Sequence, residues 1–362
     1  MSKRSISYIF RRPVNNSLKD LKKNKVPRDI FYGLTEIRKS YTVKTTDQAF
    51  SSKLLLSLQV LLNLLVTQFV DIGFSLLPTL YILKSLEQSD ILFATVDTYG
   101  LPLALLKYIG AVKKPLIFNT IGLYDGLIRK NSRLALKFYG KILPTVDLFV
   151  SGGSFVECQR LAKLLILPLS QFAFIPFGID TKFFYPKKIQ EKNEILIIGA
   201  DPSRDWRLYQ KLANLFPQEK FRIITYTSLI KVSMPQNVIF EYNLSYVALR
   251  QRIWEAKFLL ILSKLNYHFA GQSTSMRAMS CGKAVIFTKS PGVEEYKFKN
   301  YLHCIMVSVN NLEEVQSAIN YLNHVPQRRI QMGKKARQII MQFYRIEIYA
   351  QKLKTLFDRM TV

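Results

Sequence analysis

The sequence has few cysteines, histidines and acidic residues for its length. Its three cysteines, Cys158, Cys281 and Cys304, lie far apart among 362 residues. This spacing excludes a disulfide framework or a paired-cysteine metal motif, and it indicates a reducing compartment. Only 25 Asp and Glu oppose 52 Lys and Arg, which gives a net charge of +27. Such a charge favours polyphosphate ligands, an anionic membrane surface or nucleic acid as partners.

The N-terminal residues lack the continuous apolar run of a signal peptide, so the sequence predicts a cytoplasmic protein. A hydrophobic fraction of 49% with 21% charged residues excludes disorder for most of the chain. A length of 362 residues favours two domains, at about 150 residues per domain. Zinc-finger, helix-turn-helix and aromatic RNA-binding motifs are missing. Nucleic acid is therefore less favoured as a partner than a polyphosphate ligand or an anionic membrane surface.

Residues 54–83 form the longest apolar stretch of the sequence. Polar residues recur within it every four positions, at Gln59, Asn63, Thr67, Asp71 and Ser75. This spacing predicts a helix with one polar stripe and apolar surface elsewhere. Because Asp71 would be costly in hydrocarbon, a membrane-spanning helix is disfavoured. Two placements remain: a helix buried against a sheet, or a helix lying in a membrane interface.

Short apolar runs alternate with helical patterns along most of the chain, which indicates parallel sheets with crossover helices. The predicted strands lie at 91–96, 115–121, 148–153, 172–179, 194–200, 221–227, 237–242, 258–263 and 283–288. A basic, proline-containing stretch at 181–188 divides them into two series. The sequence therefore predicts an α/β protein with two doubly wound, Rossmann-like domains. Ligands of such sheets bind at the carboxyl ends of the strands, so the cleft between two such domains is the expected site.

Two loops that follow predicted strands carry candidate anion-binding groups. Residues 194–205 end a strand at Gly199 and place Arg204 just before a helix, where its cation would suit a phosphate. A surface ion pair of Arg204 with a neighbouring aspartate explains the same residues. In the second loop, Gly271 precedes the polar residues 272–274 at the start of a helix, where backbone N–H groups can bind phosphate. An ordinary capped helix is the alternative there.

Taken in order, several stretches resemble the retaining glycosyltransferases of family 4, which have the GT-B fold. The segment FIPFGIDTKFFYP resembles the family's inter-domain segment, and GADPSRDWRLYQKL stands where the family has a glycine loop with a donor-phosphate cation. GQSTSMRAMSCGKAVIFTKSPGVEEY resembles its second glycine loop, the following helix and a Gly-Gly-x-x-Glu turn. VSVNNLEEVQSAINYL and GKKARQIIMQFY resemble its closing helices. The resemblance covers about residues 145–358.

The resemblance implies a GT-B architecture with two Rossmann-like domains facing across a cleft. Residues 1–180 would form the acceptor domain and residues 181–340 the nucleotide-sugar domain. Residues 341–362 would form a helix that packs back on the N-terminal domain. The implied donor-binding residues are Gly199, Arg204, Lys211, His268, Gly271, Gln272, Ser273, Thr274 and Arg277. Neither a cofactor nor an obligatory metal is expected, because the nucleotide sugar is a substrate.

The sequence departs from the family at its paired glutamates. Their positions fall at Phe269 and Arg277, an aromatic residue and a cation. Arg277 would then bind the diphosphate, pair at the surface with Glu294 or Glu295, or mark a loss of catalysis. The family's frequent N-terminal histidine would fall near Ile121. Two acids, Asp97 and Asp125, are the remaining candidates for orienting an acceptor, although the pattern favours a helix cap for Asp97 and a turn residue for Asp125.

The resemblance therefore implies a hexosyltransferase-like, retaining glycosyltransferase that uses a nucleotide-sugar donor. Its expected acceptor is a glycan or a lipid-linked molecule of surface polysaccharide or glycolipid synthesis. The alternative is a catalytically silent GT-B protein that binds a nucleotide or scaffolds partners. The basic residues Lys22, Lys23 and Lys25 precede the amphipathic stretch and predict peripheral attachment to the cytoplasmic face of an anionic membrane. A merely solvated basic surface explains them equally well.

Overall fold

The computed structural model describes residues 3–46, 53–226, 230 and 232–360. The chain divides into two compact units. The first comprises Met1–Lys19, Phe31–Pro176 and Tyr349–Val362, and the second comprises Asp20–Ile30 and Phe177–Ile348. Residues 20–30 and 177–180, expected in the N-terminal domain, group with the second unit, and that unit ends at Ile348 rather than at residue 340.

The first unit contains a parallel sheet of six strands in the order β2-β1-β3-β4-β5-β6. The strands are β1 Ser5–Ile9, β2 Thr42–Thr45, β3 Ile91–Ala94, β4 Leu116–Thr120, β5 Leu148–Ser151 and β6 Phe172–Phe174. The central strands β3 and β4 are buried along their whole length. This is why their sequences are continuous apolar runs rather than alternating patterns.

Helices cover the sheet of the first unit and pack an apolar core against it. In chain order the first eight helices are α1 Asn15–Lys22, α2 Leu34–Ile37, α3 Lys53–Phe69, α4 Leu76–Leu86, α5 Asp97–Tyr108, α6 Leu123–Lys130, α7 Arg133–Ile142 and α8 Phe155–Leu165. Phe357, near the C-terminus, also packs in this unit. Its ring lies 5.5 Å from that of Phe93 and 6.2 Å from that of Tyr8.

The second unit contains another parallel sheet of six strands, in the order β12-β11-β10-β7-β8-β9. Its strands are β7 Glu194–Ile198, β8 Lys220–Thr225, β9 Val238–Tyr242, β10 Phe258–Ile261, β11 Val285–Thr288 and β12 Ile305–Val307. The remaining helices are α9 Trp206–Leu215, α10 Tyr246–Glu255, α11 Gln272–Ser280, α12 Leu312–His324, α13 Pro326–Phe343 and α14 Ile346–Arg359, and most of α14 belongs to the first unit. The prediction of two doubly wound α/β domains is confirmed.

The apolar stretch 54–83 does not form one continuous helix. It contains α3 and α4, separated by a turn at residues 70–75. The predicted polar stripe explains why the helix is interrupted, because side chains of the stripe form hydrogen bonds with the backbone of this turn. The amide of Gln59 donates to the Phe74 carbonyl at 2.7 Å, and its oxygen accepts the Leu77 N–H at 3.0 Å. Asn63 accepts the Phe74 N–H at 2.8 Å.

The polar stripe of α3 therefore faces the protein. Gln59 is the buried residue of this helix, and its leucines are largely exposed. The expectation of a helix buried through its apolar surface is wrong for α3, since the turn backbone needed the polar side for its hydrogen bonds. Of the helices that the structure describes, none is long and apolar enough to cross a membrane.

Candidate functional site

In the second unit, the loops that follow two neighbouring strands lie side by side. Residues 199–205 lead from β7 into α9, and residues 262–271 lead from β10 into α11. Because β7 and β10 are adjacent and parallel, both loops leave the same edge of the sheet. The Lys264 N–H donates to the Ser203 carbonyl at 2.8 Å, and Arg204 forms an isolated bridge with Ser263. The two candidate anion-binding loops of the sequence thus form one surface.

The side chain of Arg204 is almost completely buried. It lies between Gly199 and Gly271, the glycines of the two candidate anion-binding loops. A Cβ atom on Gly199 would overlap its Nε, and one on Gly271 would lie 2.6 Å from its Nη2. Its Nη1 donates to the Ala270 carbonyl at 3.5 Å, at the upper limit of hydrogen-bond length. Its buried Nε has no acceptor among the residues that the structure describes. Both glycines are therefore needed because a larger residue would displace this guanidinium.

The start of α11 lies beside this guanidinium. Gly271 precedes the helix with φ 87°, in the left-handed region where glycine is favoured. The first N–H groups of any helix lack intrahelical acceptors, so the partly exposed Ser273 and Thr274 present donors next to a buried cation. The Gln272 side chain donates to the Tyr296 hydroxyl. A cation beside a helix N-terminus is suited to a phosphate group.

His268 contacts an aspartate of the neighbouring loop. Its Nε2 lies 3.0 Å from Oδ2 of Asp201, whose Oδ1 accepts the Ser203 N–H at 2.8 Å and its hydroxyl at 2.5 Å. Burial of the Asp201 carboxyl opposes ionisation. The hydrogen bond and charge of His268, the Ser203 hydroxyl and the charge of Arg204 nevertheless hold its pKa well below the usual range. The predicted role of His268 in donor binding stays a prediction.

The structure also places Lys211, a predicted donor-binding residue, and Asn266, a loop residue that the sequence analysis did not identify. Lys211 lies exposed on α9, two helical turns beyond Arg204, and the structure does not gather it with the donor-binding candidates. Asn266, which sequence reasoning missed, is buried in the second loop. Its amide donates to Ser263 at 3.1 Å and its oxygen accepts the Ala270 N–H at 3.2 Å. A single loop asparagine carries no sequence pattern that would have found it.

Arg277 has a different environment from that of Arg204. Its guanidinium donates to both carboxylate oxygens of Asp29, at 2.7 Å and 3.2 Å, and lies over the rings of Phe184 and Tyr246. Asp29 is completely buried and also accepts the Asp180 N–H at 3.4 Å. The carboxylate that pairs with Arg277 is thus supplied by the segment 20–30, whereas sequence analysis had offered Glu294 or Glu295. Arg277 and Asp29 are 248 positions apart, which is why the sequence did not suggest them as partners.

The first unit holds the two candidate acids. Asp97 begins α5 after β3, and Asp125 lies in the first turn of α6 after β4; both are buried. The Asp97 carboxylate accepts the Ile121 N–H at 2.9 Å, which joins the loops that follow these neighbouring strands. Among the described residues, no group of three or more His, Cys, Asp or Glu is placed to hold a metal ion.

The two parallel sheets, each covered by helices, define the fold class as that of the GT-B glycosyltransferases. No protein-family model matches the sequence, and a search of curated protein sequences finds no relative. Solved structures share the fold at low identity. HepE of Anabaena, solved with UDP-glucose, has a TM-score of 0.71 at 14% identity, over 98% of this chain and 99% of that one.

Two other solved structures extend this likeness. Sucrose-phosphate synthase from Thermosynechococcus elongatus has a TM-score of 0.73 at 13% identity, over 99% of each chain. TarM of S. aureus, solved with Fondaparinux, alpha-GlcNAc-glycerol and UDP, has a TM-score of 0.61 at 16% identity, over 78% of this chain and 59% of TarM. The GT-B fold expected from the sequence motifs is confirmed.

Proposed function

We propose that this protein is a glycosyltransferase that uses a nucleotide-sugar donor and binds the donor diphosphate in its second unit. The observation that carries the proposal is the buried guanidinium of Arg204, which lies between Gly199 and Gly271 beside the start of α11. A buried cation is costly unless an anion satisfies it. A diphosphate would supply that charge and would accept hydrogen bonds from the first turn of α11.

The comparisons support the choice of a nucleotide sugar among diphosphate ligands. HepE was solved with UDP-glucose, and TarM was solved with UDP. We extend the proposal to a retaining, hexosyltransferase-like enzyme of family 4, which rests on the resemblance of residues 145–358. Gln272, Ser273, Thr274 and His268 complete the proposed donor site, and Arg277 stands outside it because Asp29 already binds its guanidinium.

The proposed chemistry requires only groups that this chain and its substrates hold. The bond between the sugar and the diphosphate breaks while a bond forms from the sugar to an acceptor oxygen, and the acceptor proton passes to the released diphosphate. Arg204 and the α11 amides would stabilise the negative charge that develops on the leaving group. Asp97 and Asp125 are proposed to orient the acceptor. We expect this cation and these amides to hold the diphosphate without an obligatory metal, so donor binding should persist in EDTA.

We propose a glycan or lipid-linked acceptor in surface polysaccharide or glycolipid synthesis, used at the cytoplasmic face of an anionic membrane. The net charge of +27 supports an anionic surface. The three cysteines are free and buried, which supports a reducing compartment.

Calorimetry with a panel of UDP-, GDP- and ADP-sugars tests the donor site. We expect one nucleotide class to bind the wild type, and Gly271→Ala to weaken that binding roughly tenfold or more, because the added Cβ would lie 2.6 Å from Nη2 of Arg204 and 2.5 Å from Cγ2 of Ile261. Gly110→Ala is the matched control, since Gly110 also has a positive φ of 80° and a Cβ there would meet no atom within 4 Å. Unchanged affinity in a folded Gly271→Ala variant would remove the proposed placement of the diphosphate.

A second function, a catalytically silent nucleotide-binding or scaffold protein, is favoured by one observation. The positions of the family's two glutamates are occupied by Phe269 and Arg277, so neither holds a carboxylate. Phe269 packs in an aromatic cluster with Phe287, Tyr296 and Phe298, and Arg277 is paired with Asp29. Incubation of the wild type with the donor identified by calorimetry separates the two functions. Release of nucleotide diphosphate by transfer or hydrolysis supports the enzyme, and stoichiometric binding without release supports the silent protein.

A further inference from the structure

Helix α3 exposes the apolar side of its sequence and buries part of its polar side. Nine of its large hydrophobic residues are exposed, from 37% at Leu55 to 71% at Leu54. They are Leu54, Leu55, Leu56, Leu58, Val60, Leu61, Leu64, Leu65 and Phe69. We call these nine residues the α3 apolar face. A contiguous apolar surface of this kind on a folded protein marks an interaction site.

The contacts of α3 hold its apolar face outward. Gln59 and Asn63 bond the backbone of the turn that follows, and partly buried Leu62 and Val66 pack against the core of the first unit. Asp71, just beyond the helix, forms an ion pair with Arg129 at the end of α6. Rotating α3 to bury its leucines would break these bonds, so the outward direction of the face is a property of the folded unit.

Exposed cations continue from the end of α6 along α7. Four of them are Lys130, Arg133, Lys137 and Lys141. Within the part of the chain that the structure describes, none of these four forms an ion pair. Leu134 and Phe138 are exposed between them, at 65% and 39%. Exposed apolar side chains and uncompensated positive charge therefore occur together on α7, which directly follows the helix α6 that contacts α3.

We propose that α3 lies in the interface of an anionic membrane, with its apolar face among the acyl chains and the α6–α7 cations on the lipid headgroups. A helix of 17 residues is about 25 Å long at 1.5 Å per residue, a suitable length for lying in the membrane plane. This inference deepens the proposed function by assigning its membrane contact to one surface. It also moves the electrostatic contact from Lys22, Lys23 and Lys25 to α6 and α7.

Charge favours lipid over a second copy of this chain as the occupant. A second copy would bring the same cations and a further +27 of net charge to the contact, and like charges oppose such pairing. An anionic bilayer supplies both an apolar layer and negative charge, and each basic residue near its surface strengthens binding.

Sedimentation with vesicles of phosphatidylcholine containing 30% phosphatidylglycerol tests the proposal, with pure phosphatidylcholine vesicles for comparison. The wild type should bind the anionic vesicles at low salt and release partly at high salt. The variant Leu61→Gln, Leu64→Gln, Leu65→Gln should lose roughly tenfold or more in partitioning. Its control is Ile109→Gln, Ile166→Gln, Leu169→Gln, which removes exposed apolar residues of the same unit outside α3 and should bind as the wild type does.

The electrostatic contribution is tested separately. The variant Lys130→Gln, Arg133→Gln, Lys137→Gln should lose on the order of a hundredfold in binding to anionic vesicles, whereas Lys22→Gln, Lys23→Gln, Lys25→Gln should lose much less. Equal losses in the two variants would overturn the assignment to α6 and α7. Failure of the wild type to bind vesicles, or a dimer that the α3 variant abolishes in analytical ultracentrifugation, would overturn the membrane proposal. These measurements use neither donor nor acceptor, so their failure is distinguishable from failure of the proposed function, which donor calorimetry tests.

Discussion

Two arginines of the second unit, Arg204 and Arg277, show how differently one side chain can be used within one candidate site. The guanidinium of Arg204 lies between two glycines, and its hydrogen bond to protein is a long one to the Ala270 carbonyl. The guanidinium of Arg277 binds both oxygens of a completely buried carboxylate, that of Asp29. The first cation can still meet a ligand, whereas the second is satisfied by the fold itself.

The difference teaches that burial alone does not identify a binding cation. A buried charge with a bidentate partner stabilises the fold as long as both partners remain, and removing one of them leaves an uncompensated charge. A buried charge with a single weak acceptor contributes little to stability and is available to an anion. The two arginines should therefore respond in opposite ways to mutation, one in stability and the other in ligand affinity.

The largest expected effect is on stability, at the Arg277–Asp29 pair. Asp29→Ala should lower the free energy of unfolding by about 3 kcal/mol, because it leaves the largely buried Arg277 without its carboxylate. Arg277→Met should cost a similar amount. Chemical denaturation of both single variants and the double variant gives the coupling free energy, and the double variant should lose less than the sum of the two. Additive losses would show that the two side chains do not act as a pair.

The next effect is on donor affinity, at Arg204. Arg204→Met keeps the apolar volume and removes the cation, so donor binding should weaken by about 1.5–3 kcal/mol, as expected for a hydrogen bond to a charged group. Its stability should stay close to that of the wild type, in contrast to Arg277→Met. Calorimetry and denaturation of the same samples measure both quantities.

Arg207→Met and Lys211→Ala serve as controls for this comparison, because both residues are exposed on α9. Each should change donor affinity by less than about 0.5 kcal/mol. A loss at Lys211 equal to that at Arg204 would mean that charge at a distance, rather than the buried guanidinium, controls donor binding.

The smallest expected effect is the pH dependence contributed by Asp201, beside Arg204. Because its pKa is lower in the folded protein than in the unfolded chain, its ionised form stabilises the fold above the unfolded pKa of about 3.9. This contribution is lost as the pH falls through the folded pKa. The difference in unfolding free energy between wild type and Asp201→Asn, on the order of 1 kcal/mol at neutral pH, should therefore shrink below about pH 4. Denaturant titrations from pH 7 to pH 3 measure this difference, and a constant value would contradict the assignment.

Much of the fold could be predicted because its central strands are short apolar runs. Residues 194–198 and 258–261 are buried along most or all of their length. Because both faces of such strands are buried, their sequences are continuous apolar runs that are readily identified. Strands β1, β2 and β12 were missed. Ser5–Ile9 lies in a basic N-terminus, Thr42–Thr45 is a polar, partly exposed edge strand, and Ile305–Val307 has three residues. The pairing of β1 and β2 in the first sheet depends on contacts that sequence patterns do not report.

The candidate donor site was predicted in part. Gly199, Arg204 and Gly271 follow predicted strands, and parallel strands bring such loops to one edge of a sheet. The guanidinium of Arg204 lies between Gly199 and Gly271, and sequence patterns do not report such a three-dimensional contact. Asn266 bonds to Ser263 and Ala270 of its own loop, but a single loop asparagine carries no sequence pattern that marks it as buried.

The sequence by itself determined the parallel strands, the two glycine loops and the amphipathic character of residues 54–83, because these follow from local spacing of apolar, polar and small residues. Only the tertiary structure decided which side of α3 faces the protein and that Arg277, rather than Arg204, binds a buried carboxylate. Hydrogen bonds of the turn at residues 70–75 hold the polar side of α3 inward, and a residue 248 positions away satisfies Arg277. The physical reason is that periodicity shows that a helix has two faces, whereas long-range contacts select which of them is buried.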